Sequence, residues 1–339
     1  MQSTNLLARM AMAACLVTIS APAALAETLI LSTNTAPGHF SVQHGLEPFM
    51  QCVTGRSNGG IDFNFFPSAQ IASLAGALDA MNDGLAQVAY LAVSGLSDKL
   101  PLANITMLPD MGDNVAQMVQ AWRKVLADGG PLADELAANN IVPLLVHMYP
   151  PYQLGLRGEP ITSLEEFSGV KVRVSGGSQV FAVNSLGAVP VQIAAADAYV
   201  AMQQGTIDGY MLALTSIQSY SLEEISKAIS TNANFAGAAA FVAMDSRVFS
   251  ALSAENQKAL TDCGAEVEAS LTTFQDNLVK ELETEFAAAG VAMYQIPDEA
   301  LAAINDKLKL AAEDYIARLT GLGLPAQAAH DQYRAALGK

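Results

Sequence analysis

The sequence predicts an α/β protein made of two similar units and completed by long C-terminal helices. Strand-like and helix-like segments alternate from Leu29 onward, an order that indicates parallel strands with covered faces. The same alternation starts again near residue 163, and beyond residue 254 the pattern is mostly helical. The 339 residues are 51% hydrophobic and 15% charged, which is enough for large buried cores in two domains of ordinary size.

The first unit is predicted from short apolar runs that are separated by helical runs and turn residues. One helix is expected to end at Asn82-Asp83-Gly84 and another at Asp128-Gly129-Gly130-Pro131. Strands are expected at 29–31, 61–66, 87–91 and 141–147, and helices at 41–53, 69–81 and 115–126.

The second unit is predicted to begin at Ser163-Leu164-Glu165-Glu166, which has capping-box spacing. The preceding Tyr149-Pro150-Pro151-Tyr152 is interpreted as a crossover, and residues 239–244 as a late strand that returns to the first unit. The first lobe is therefore expected to hold 27–150 and about 240–280, and the second 151–239 and about 281–339. Strands are expected at 170–174, 189–193, 207–214 and 291–295, and helices at 179–186, 196–203, 255–289, 297–320 and 325–337.

The N-terminus has the pattern of a secretory signal peptide. Arg9 precedes a mostly apolar run at 10–19, and Ala24-Leu25-Ala26 is a small-residue cleavage site. Residues 1–26 are expected to be removed after Ala26, and the protein is expected to reach the periplasm. A lipoprotein anchored at Cys15 is the weaker alternative, since Met12-Ala13-Ala14 lacks the usual branched residue. The formal net charge of −16 argues against nucleic acid or an anionic membrane surface as a partner.

Two cysteines, Cys52 and Cys263, remain after the predicted signal peptide. An even number in an oxidising compartment allows a disulfide. Two separate buried thiols, which behave as small hydrophobic side chains, are the alternative.

Several common catalytic and metal-binding motifs are absent from the sequence. It contains no phosphate-binding G-x-x-x-x-G-K loop, no G-x-G-x-x-G, no C-x-x-C and no H-E-x-x-H. His39 and His44 are five residues apart, a poor spacing for one metal on one helix face, and are expected to be exposed. No cofactor, metal or enzymatic activity is therefore predicted.

Arg173 is the strongest candidate for a binding residue. It lies in the alternating strand Val170-Lys171-Val172-Arg173-Val174, next to the turn Ser175-Gly176-Gly177. Ligands of open α/β sheets bind outside the carboxyl ends of strands, and a guanidinium matches a carboxylate with two parallel hydrogen bonds. The two glycines are expected to let backbone approach that ligand. The alternative is a surface arginine paired with an acid such as Glu165.

The stretch from Ser163 to Tyr210, "SLEEFSGVKVRVSGGSQVFAVNSLGAVPVQIAAADAYVAMQQGTIDGY", resembles the dicarboxylate-binding (DctP) type of solute-binding subunit in TRAP (tripartite ATP-independent periplasmic) transporters. The upstream "FFPSAQIASLAGALDAMNDGLAQVAY" fits the same family. The resemblance implies a two-lobe periplasmic binding protein (Venus-flytrap) with crossing strands. It also implies capture of a carboxylate in the cleft, a salt bridge from Arg173 to that carboxylate, and delivery to membrane permease subunits.

Three positions depart from the family pattern. Gln153 stands where many members have a second arginine, Leu212 replaces a polar asparagine, and Ala195 replaces a phenylalanine. These changes remove polar groups and open volume, and a site without hydrogen-bonding groups does not favour a polar ligand. A bulkier monocarboxylate, with an aromatic or aliphatic body, is therefore expected rather than a short dicarboxylate or a sugar acid.

Further residues are predicted to line the pocket around that ligand. Asn34 follows the first strand and faces the same cleft, although it is equally typical of a turn beside Pro37-Gly38. Gln153 and Leu212 are included by their positions in the family pattern. The remaining candidates are Tyr90, Tyr149, Tyr152, Tyr210 and Met211. For each of these tyrosines, ordinary packing without ligand contact is an equal alternative.

Three other functions stay open from the sequence. The binding subunit of an ABC importer is one, since such subunits share the two-lobe architecture and some of the same sequence motifs. An exported enzyme on this scaffold is less favoured, since no nucleophile–base pair is visible. A sensory or chaperone-like binder without a permease is the third.

Overall fold

The computed structural model describes residues 27–339. The predicted signal peptide, its cleavage site and Cys15 lie outside these residues. The strands are β1 (Glu27–Ser32), β2 (Ile61–Phe66), β3 (Val88–Ala92), β4 (Ile141–Met148), β5 (Gln153–Leu156), β6 (Lys171–Val174), β7 (Val189–Gln192), β8 (Gly209–Leu212), β9 (Ala228–Ser230), β10 (Ala239–Asp245) and β11 (Ala292–Tyr294). The helices are α1 (Glu47–Arg56), α2 (Ala77–Asn82), α3 (Val115–Asp128), α4 (Pro131–Ala138), α5 (Ser178–Ser185), α6 (Ala198–Gln203), α7 (Leu214–Ser219), α8 (Ser246–Ala251), α9 (Ala254–Ala288), α10 (Asp298–Gly321) and α11 (Ala326–Leu337).

Each lobe is built on its own mixed sheet. The first sheet has the order β2-β1-β3-β10-β4, and the second has the order β11-β9-β5-β8-β6-β7. β1 pairs in parallel with β2 and β3, and β6 pairs in parallel with β7 and β8. The predicted α/β class is therefore confirmed. The late strand β10 returns to the first sheet, where it pairs antiparallel to β3 and β4.

Two extended segments cross between the lobes side by side. One connects β4 to β5 and the other connects β9 to β10. The backbone N–H of Tyr149 donates to the carbonyl of Ala238 at 3.0 Å, and that of Tyr152 donates to the carbonyl of Ala236 at 2.9 Å. Because these hydrogen bonds tie the two crossings together, side chains from both segments are presented at the cleft.

The long helix α9 packs on β4 and α1 of the first lobe and on α7 and β11 of the second. Its backbone lies so close to β4 that a Cβ atom at Gly264 would be 2.0 Å from the carbonyl oxygen of Leu144. The neighbouring Cys263 forms a disulfide with Cys52 of α1, with their Cα atoms 5.7 Å apart. The buried carboxylate of Glu268 accepts hydrogen bonds from the backbone of Val146 and from Arg123. These contacts attach α9 firmly to the first lobe.

The C-terminal helices divide between the lobes. α10 packs on α5 of the second lobe, but α11 packs on α3 of the first. The sequence predicts that all of 281–339 belongs to the second lobe, whereas this last helix contacts α3 of the first. The chain reverses between Leu322 and Pro325, and Tyr333 of α11 is then buried beside Trp122, with ring centroids 5.9 Å apart.

The helix expected at 69–81 is shortened to α2. Ser68 and Ala69 adopt left-handed backbone angles, with φ of 56° and 59°, so residues before Ala77 form turns instead of a helix. Several short elements were not predicted, because four to eight residues carry too little periodicity to separate helix from strand. They are α4, α7, α8, β5 and β9. Across residues 27–339, no helix has both the length and the apolar character needed to span a bilayer.

Candidate functional site

A cavity of 410 Å³ lies between the two lobes, within the size range of small-molecule sites. The first lobe contributes residues that follow β1 and β3, and the second contributes residues at the carboxyl ends of β6 and β8. The crossing segments close one side with Tyr149, Tyr152 and Ala238. The cavity therefore lies where an open α/β sheet presents its strand ends.

Arg173 lines this cavity and is 1% exposed. Val172 and Val174, its neighbours in β6, are fully buried on the opposite face, so the alternation of the strand directs the arginine toward the cleft. Its Nε donates to the carbonyl of Ile193 at 3.0 Å, while its Nη1 has no partner. Within the described chain it forms no salt bridge, and Glu165, the acid considered from the sequence, is exposed. A buried cation without a counter-ion is costly unless a ligand supplies the negative charge.

The surroundings of Arg173 are phenolic rather than acidic. Burial lowers the pKa of the guanidinium, and the nearby Tyr152, Tyr220 and Asp197 act in the opposite direction. Burial also raises the pKa of Tyr152 to about 12. Both tyrosines line the cavity and remain neutral at pH 7, so the local charge stays positive. Nothing in the sequence pattern indicated Tyr220, which follows α7.

The glycines after β6 allow the two lobes to approach each other closely. Gly176 and Gly177 have positive φ of 128° and 56°. A Cβ at Gly177 would lie 2.2 Å from Oδ1 of Asn104, and one at Gly176 would lie 3.3 Å from the carbonyl oxygen of Ser94. The two glycines let the β6–α5 turn touch the first lobe.

The loop after β1 supplies two further cavity residues. Asn34 lines the cavity, and its buried Oδ1 has no partner. His39 was expected to be exposed but is 3% exposed and also lines the cavity. Its Nδ1 lies 2.8 Å from Oγ of Ser41, and its ring packs 5.1 Å from that of Tyr220. The tertiary contact with Tyr220, from the other lobe, is what buries it.

Tyr90 and Tyr149 form one aromatic wall together with His147. The hydroxyl oxygens of the two tyrosines are 2.8 Å apart, and Oη of Tyr90 is 2.6 Å from Nδ1 of His147. The rings of His147 and Tyr149 stack at 4.3 Å, and Phe40 packs edge-on to both. Both tyrosines line the cavity, while His147 is buried behind them.

The remaining walls combine alanine and leucine side chains with the hydroxyl-bearing residues Thr35, Ser68, Ser73, Ser94, Ser175 and Ser216. Ala194, Ala195 and Ala196 line the cavity from the second lobe, next to Leu212 at the end of β8. Since these side chains offer no hydrogen-bonding group, this part of the cavity suits an apolar ligand body. The other alanines of the lining are Ala36, Ala69, Ala92, Ala238 and Ala239.

Three residues predicted for the site lie elsewhere. Gln153 donates from Nε2 to the carbonyl of Ala233 and accepts through Oε1 from Oγ of Ser230 and the backbone of Ala233. Its polar atoms are thus occupied within the second lobe. Tyr210 packs against Gly155, and its hydroxyl is 2.7 Å from Oγ of Ser226. Met211 is fully buried in the core. None of the three lines the cleft cavity.

A larger groove of 1230 Å³ runs between α10, α11 and residues 109–113. Its cations are exposed or already paired, as Arg334 is with Asp110 at 3.4 Å. We therefore place the candidate site in the cleft, where Arg173 is buried and unpaired. No cluster of three or more His, Cys, Asp or Glu suited to a metal ion is present between residues 27 and 339.

The family model of bacterial extracellular solute-binding proteins, family 7 (DctP), matches residues 31–318. The chain belongs to this family. The resemblance inferred from Ser163–Tyr210 is thereby confirmed for almost the whole described chain. One curated relative, a solute-binding protein of Albidiferax ferrireducens, is 26% identical over 276 residues, which cover 79% of this chain and 80% of the relative.

Solved structures of TRAP solute-binding proteins share the fold of this solute-binding protein. One from Rhodoferax ferrireducens, in complex with copurified benzoate, has a TM-score of 0.84 at 20% identity and covers 92% of this chain and 98% of its own. Another, from a marine metagenome and complexed with 3-hydroxybenzoate, has a TM-score of 0.85 at 18% identity and covers 93% and 98%. The predicted two-lobe binding-protein architecture is thereby confirmed.

Buried histidines are expected to make this solute-binding protein less stable in mild acid. Burial lowers the pKa of His39 to about 3 and that of His147 to about 4. An unfolded histidine has a pKa of about 6.5, so between pH 6.5 and 4 the unfolded state binds protons that the folded state does not. The free energy of unfolding should therefore decrease as the pH is lowered through this window. The decrease is up to about 1.4 kcal/mol per pH unit for each histidine.

This expectation is checked by urea unfolding of the parent, His39→Gln and His44→Gln between pH 7 and 4.5. The free energy of unfolding of His39→Gln should depend less on pH, while the exposed His44 is the matched control. Burial raises the pKa of Glu135 to about 7 and acts in the opposite direction, but it is common to all three proteins and cancels. Identical pH slopes for the parent and His39→Gln would contradict the expectation.

Proposed function

We propose that this chain is the extracytoplasmic receptor of a TRAP transporter for a monocarboxylate with a bulky aromatic or aliphatic body. The solute enters the cleft between the lobes, pairs its carboxylate with Arg173 and is released to the membrane permease subunits of the transporter. The protein acts in the periplasm after its signal peptide is cleaved behind Ala26. It carries its solute without chemical change.

The buried, unpaired guanidinium of Arg173 at the cleft carries this proposal. A carboxylate on this group would form charge-assisted hydrogen bonds, which contribute about 1.5–3 kcal/mol each when water is excluded. Asn34, whose Oδ1 is also buried without a partner, is proposed to accept a hydrogen bond from the solute or from a water beside it.

The alanine-rich part of the cavity supports a bulky solute body that is apolar on at least one side. The alanines at 194–196 and Leu212 leave room and offer no polar group. Tyr90 and Tyr149 supply flat aromatic surface on the opposite wall. Among the described residues of the lining, Arg173 is the single arginine or lysine, which favours a solute with one carboxylate over a short dicarboxylate. The benzoate and 3-hydroxybenzoate complexes of proteins with this fold agree with this solute class.

The experiment is a thermal-shift screen of the secreted protein after dialysis from denaturant, which removes any copurified solute. Matched pairs of carboxylic acids and their primary amides are compared, from short dicarboxylates and sugar acids to aromatic and branched monocarboxylates. A solute at about 100 times its Kd stabilises the folded state by about 2.7 kcal/mol. Stabilisation by bulky acids and not by their amides is expected. Equal shifts from acid and amide, or shifts from dicarboxylates alone, would contradict the proposed solute class.

A further inference from the structure

His39 brings a hydrogen-bonding ring into the cleft cavity from the first lobe, while Arg173 reaches the cavity from the second. His39 lies between β1 and α1, lines the cavity and is 3% exposed. Its ring packs 5.1 Å from that of Tyr220, and the backbone N–H of Phe40 donates to Oγ of Ser219 at 3.4 Å. Because Tyr220 and Ser219 belong to the second lobe, His39 lies where the two lobes meet at the cavity.

The position of the ring proton of His39 is fixed by Ser41. The backbone N–H of Ser41 donates to Nδ1 of His39 at 3.1 Å, and Oγ of Ser41 lies 2.8 Å from the same atom. A backbone N–H can only donate, so Nδ1 must present its lone pair, and the hydroxyl of Ser41 must donate as well. A proton on Nδ1 would face the backbone N–H at hydrogen-bond distance. This excludes both the cationic ring and the neutral ring that is protonated at Nδ1.

The opposite orientation of the ring is disfavoured by the same two contacts. Turning the ring over would place Cδ2 against the backbone N–H and the hydroxyl of Ser41, which would leave two donors without an acceptor. Ser41 is 1% exposed, so bulk water would not replace that acceptor. The single proton of the neutral ring is therefore on Nε2. Burial lowers the pKa of His39 to about 3, in agreement with a neutral ring at pH 7.

Nε2 of His39 is the edge of the ring that a solute can reach. Both hydrogen bonds of the ring involve Nδ1, and within residues 27–339 no protein group is hydrogen-bonded to Nε2. Nε2 of His147 is fully enclosed without a partner, whereas Nε2 of His39 is not fully enclosed. Because His39 lines the cavity and is otherwise buried, this accessible edge belongs to the cavity.

We propose that His39 is a solute-binding residue that donates a hydrogen bond from Nε2 to an oxygen of the solute. This inference rests on the proposed function, since it assumes that a carboxylate enters this cavity. Arg173 then binds the solute from the second lobe and His39 binds it from the first. The accepting oxygen belongs either to the carboxylate or to a substituent of the body, and both offer a lone pair to the N–H. The preferred solute is one whose oxygens accept from both lobes at once.

Calorimetric titration of the full secreted protein tests this inference. The probes are three pairs of acids: benzoate and meta-methoxybenzoate, phenylacetate and phenylglyoxylate, and isovalerate and ketoisovalerate. His39→Met removes the donor, while the side-chain amide of His39→Gln keeps an N–H at a similar reach. At least one acid should bind His39→Met at least about fivefold more weakly than the parent, the usual effect of one lost hydrogen bond. His39→Gln should retain more of the affinity.

His44→Met is the matched control, because His44 is exposed and does not line the cavity. It should bind all the acids as the parent does.

The three pairs also identify the accepting oxygen. The members of each pair share a carboxylate, and the second member carries one more oxygen. A loss in His39→Met that is equal within a pair assigns the acceptor to the carboxylate. A loss confined to the second member assigns it to the substituent, and either result supports the inference.

Ring-nitrogen NMR of protein labelled at histidine tests the inference even if both His39 variants fail to fold. The nitrogen shifts of His39, assigned through its backbone, should show a neutral ring protonated at Nε2 at pH 7. The Nε2–H resonance should move when an acid of the series binds. A proton on Nδ1, a cationic ring, or an Nε2–H resonance that no bound acid moves would overturn the inference.

The outcomes separate this inference from the proposed function. If the acids bind and depend on Arg173 but His39→Met keeps parental affinity for each of them, the inference is overturned and the proposed function stands. An equal loss in His39→Met and His39→Gln also overturns it, since the shape of the ring and not its donor would then matter. If none of the six acids binds, both proposals are overturned.

Discussion

Arg173→Met is expected to lower affinity for the carboxylate solute at least about tenfold while the solute-free protein stays as stable as the parent. The affinity falls because charge-assisted hydrogen bonds to the carboxylate are lost. The stability is kept because methionine retains an unbranched apolar stem and removes a buried, unpaired positive charge. The hydrogen bond from Nε to the carbonyl of Ile193 is the protein hydrogen bond given up.

Calorimetric titration with a hit from the carboxylate screen measures the affinity, and denaturant unfolding without solute measures the stability. Arg157→Ala is the matched control, because Arg157 is exposed, pairs with Asp208 at 3.4 Å and does not line the cavity. It should leave affinity unchanged. A folded Arg173→Met protein with parental affinity would refute the role in binding. A large loss of stability with parental affinity would identify Arg173 as a structural residue.

The double substitution Cys52→Ser and Cys263→Ser is expected to lower the free energy of unfolding by about 2–5 kcal/mol. The disulfide connects residues that are 211 positions apart, so it restricts a long loop in the unfolded chain. It also joins α1 to α9 next to the close contact of Gly264 with β4. Solute affinity should be unchanged, since neither cysteine lines the cavity.

Urea unfolding of the parent and the double variant, each with and without reductant, checks this expectation. Reductant should shift the parent toward the double variant and leave the double variant itself unaffected. Equal unfolding free energies for the oxidised parent and the double variant would show that the disulfide contributes nothing to stability. A parent that does not respond to reductant while the variant is less stable would attribute the loss to the serine side chains.

Features that depend on local periodicity could be predicted from the sequence. The strand at Lys171–Val174 and the helix Ala254–Ala288 lie within one residue of their predicted bounds at both ends, since each has a regular pattern or a clear turn at its end. Arg173 could be selected because a cation at the end of an alternating strand, next to two glycines, is an unusual combination. In contrast, β5 and β9 have four and three residues, and such short runs lack a distinguishing period.

Residues whose role depends on contacts between distant segments could not be assigned in the same way. Gln153 occupies the position expected for a binding residue, but its side chain forms hydrogen bonds with Ala233 and Ser230. The sequence gives no reason to prefer Tyr149 over Tyr210 as a binding residue. In the structure Tyr210 packs against Gly155 and Ser226 in the core, whereas Tyr149 lines the cavity.

By itself the sequence determined the two-lobe α/β architecture, the family and the arginine at the cleft, because periodicity, turn residues and motif order are properties of neighbouring residues. Only the tertiary structure decided that Arg173 has no counter-ion, that His39 is buried, and that Tyr149, Tyr90 and His147 form one hydrogen-bond chain. These facts depend on which side chains meet across the lobes and on how much water is excluded there. Burial and pairing at such contacts set the charge of the site.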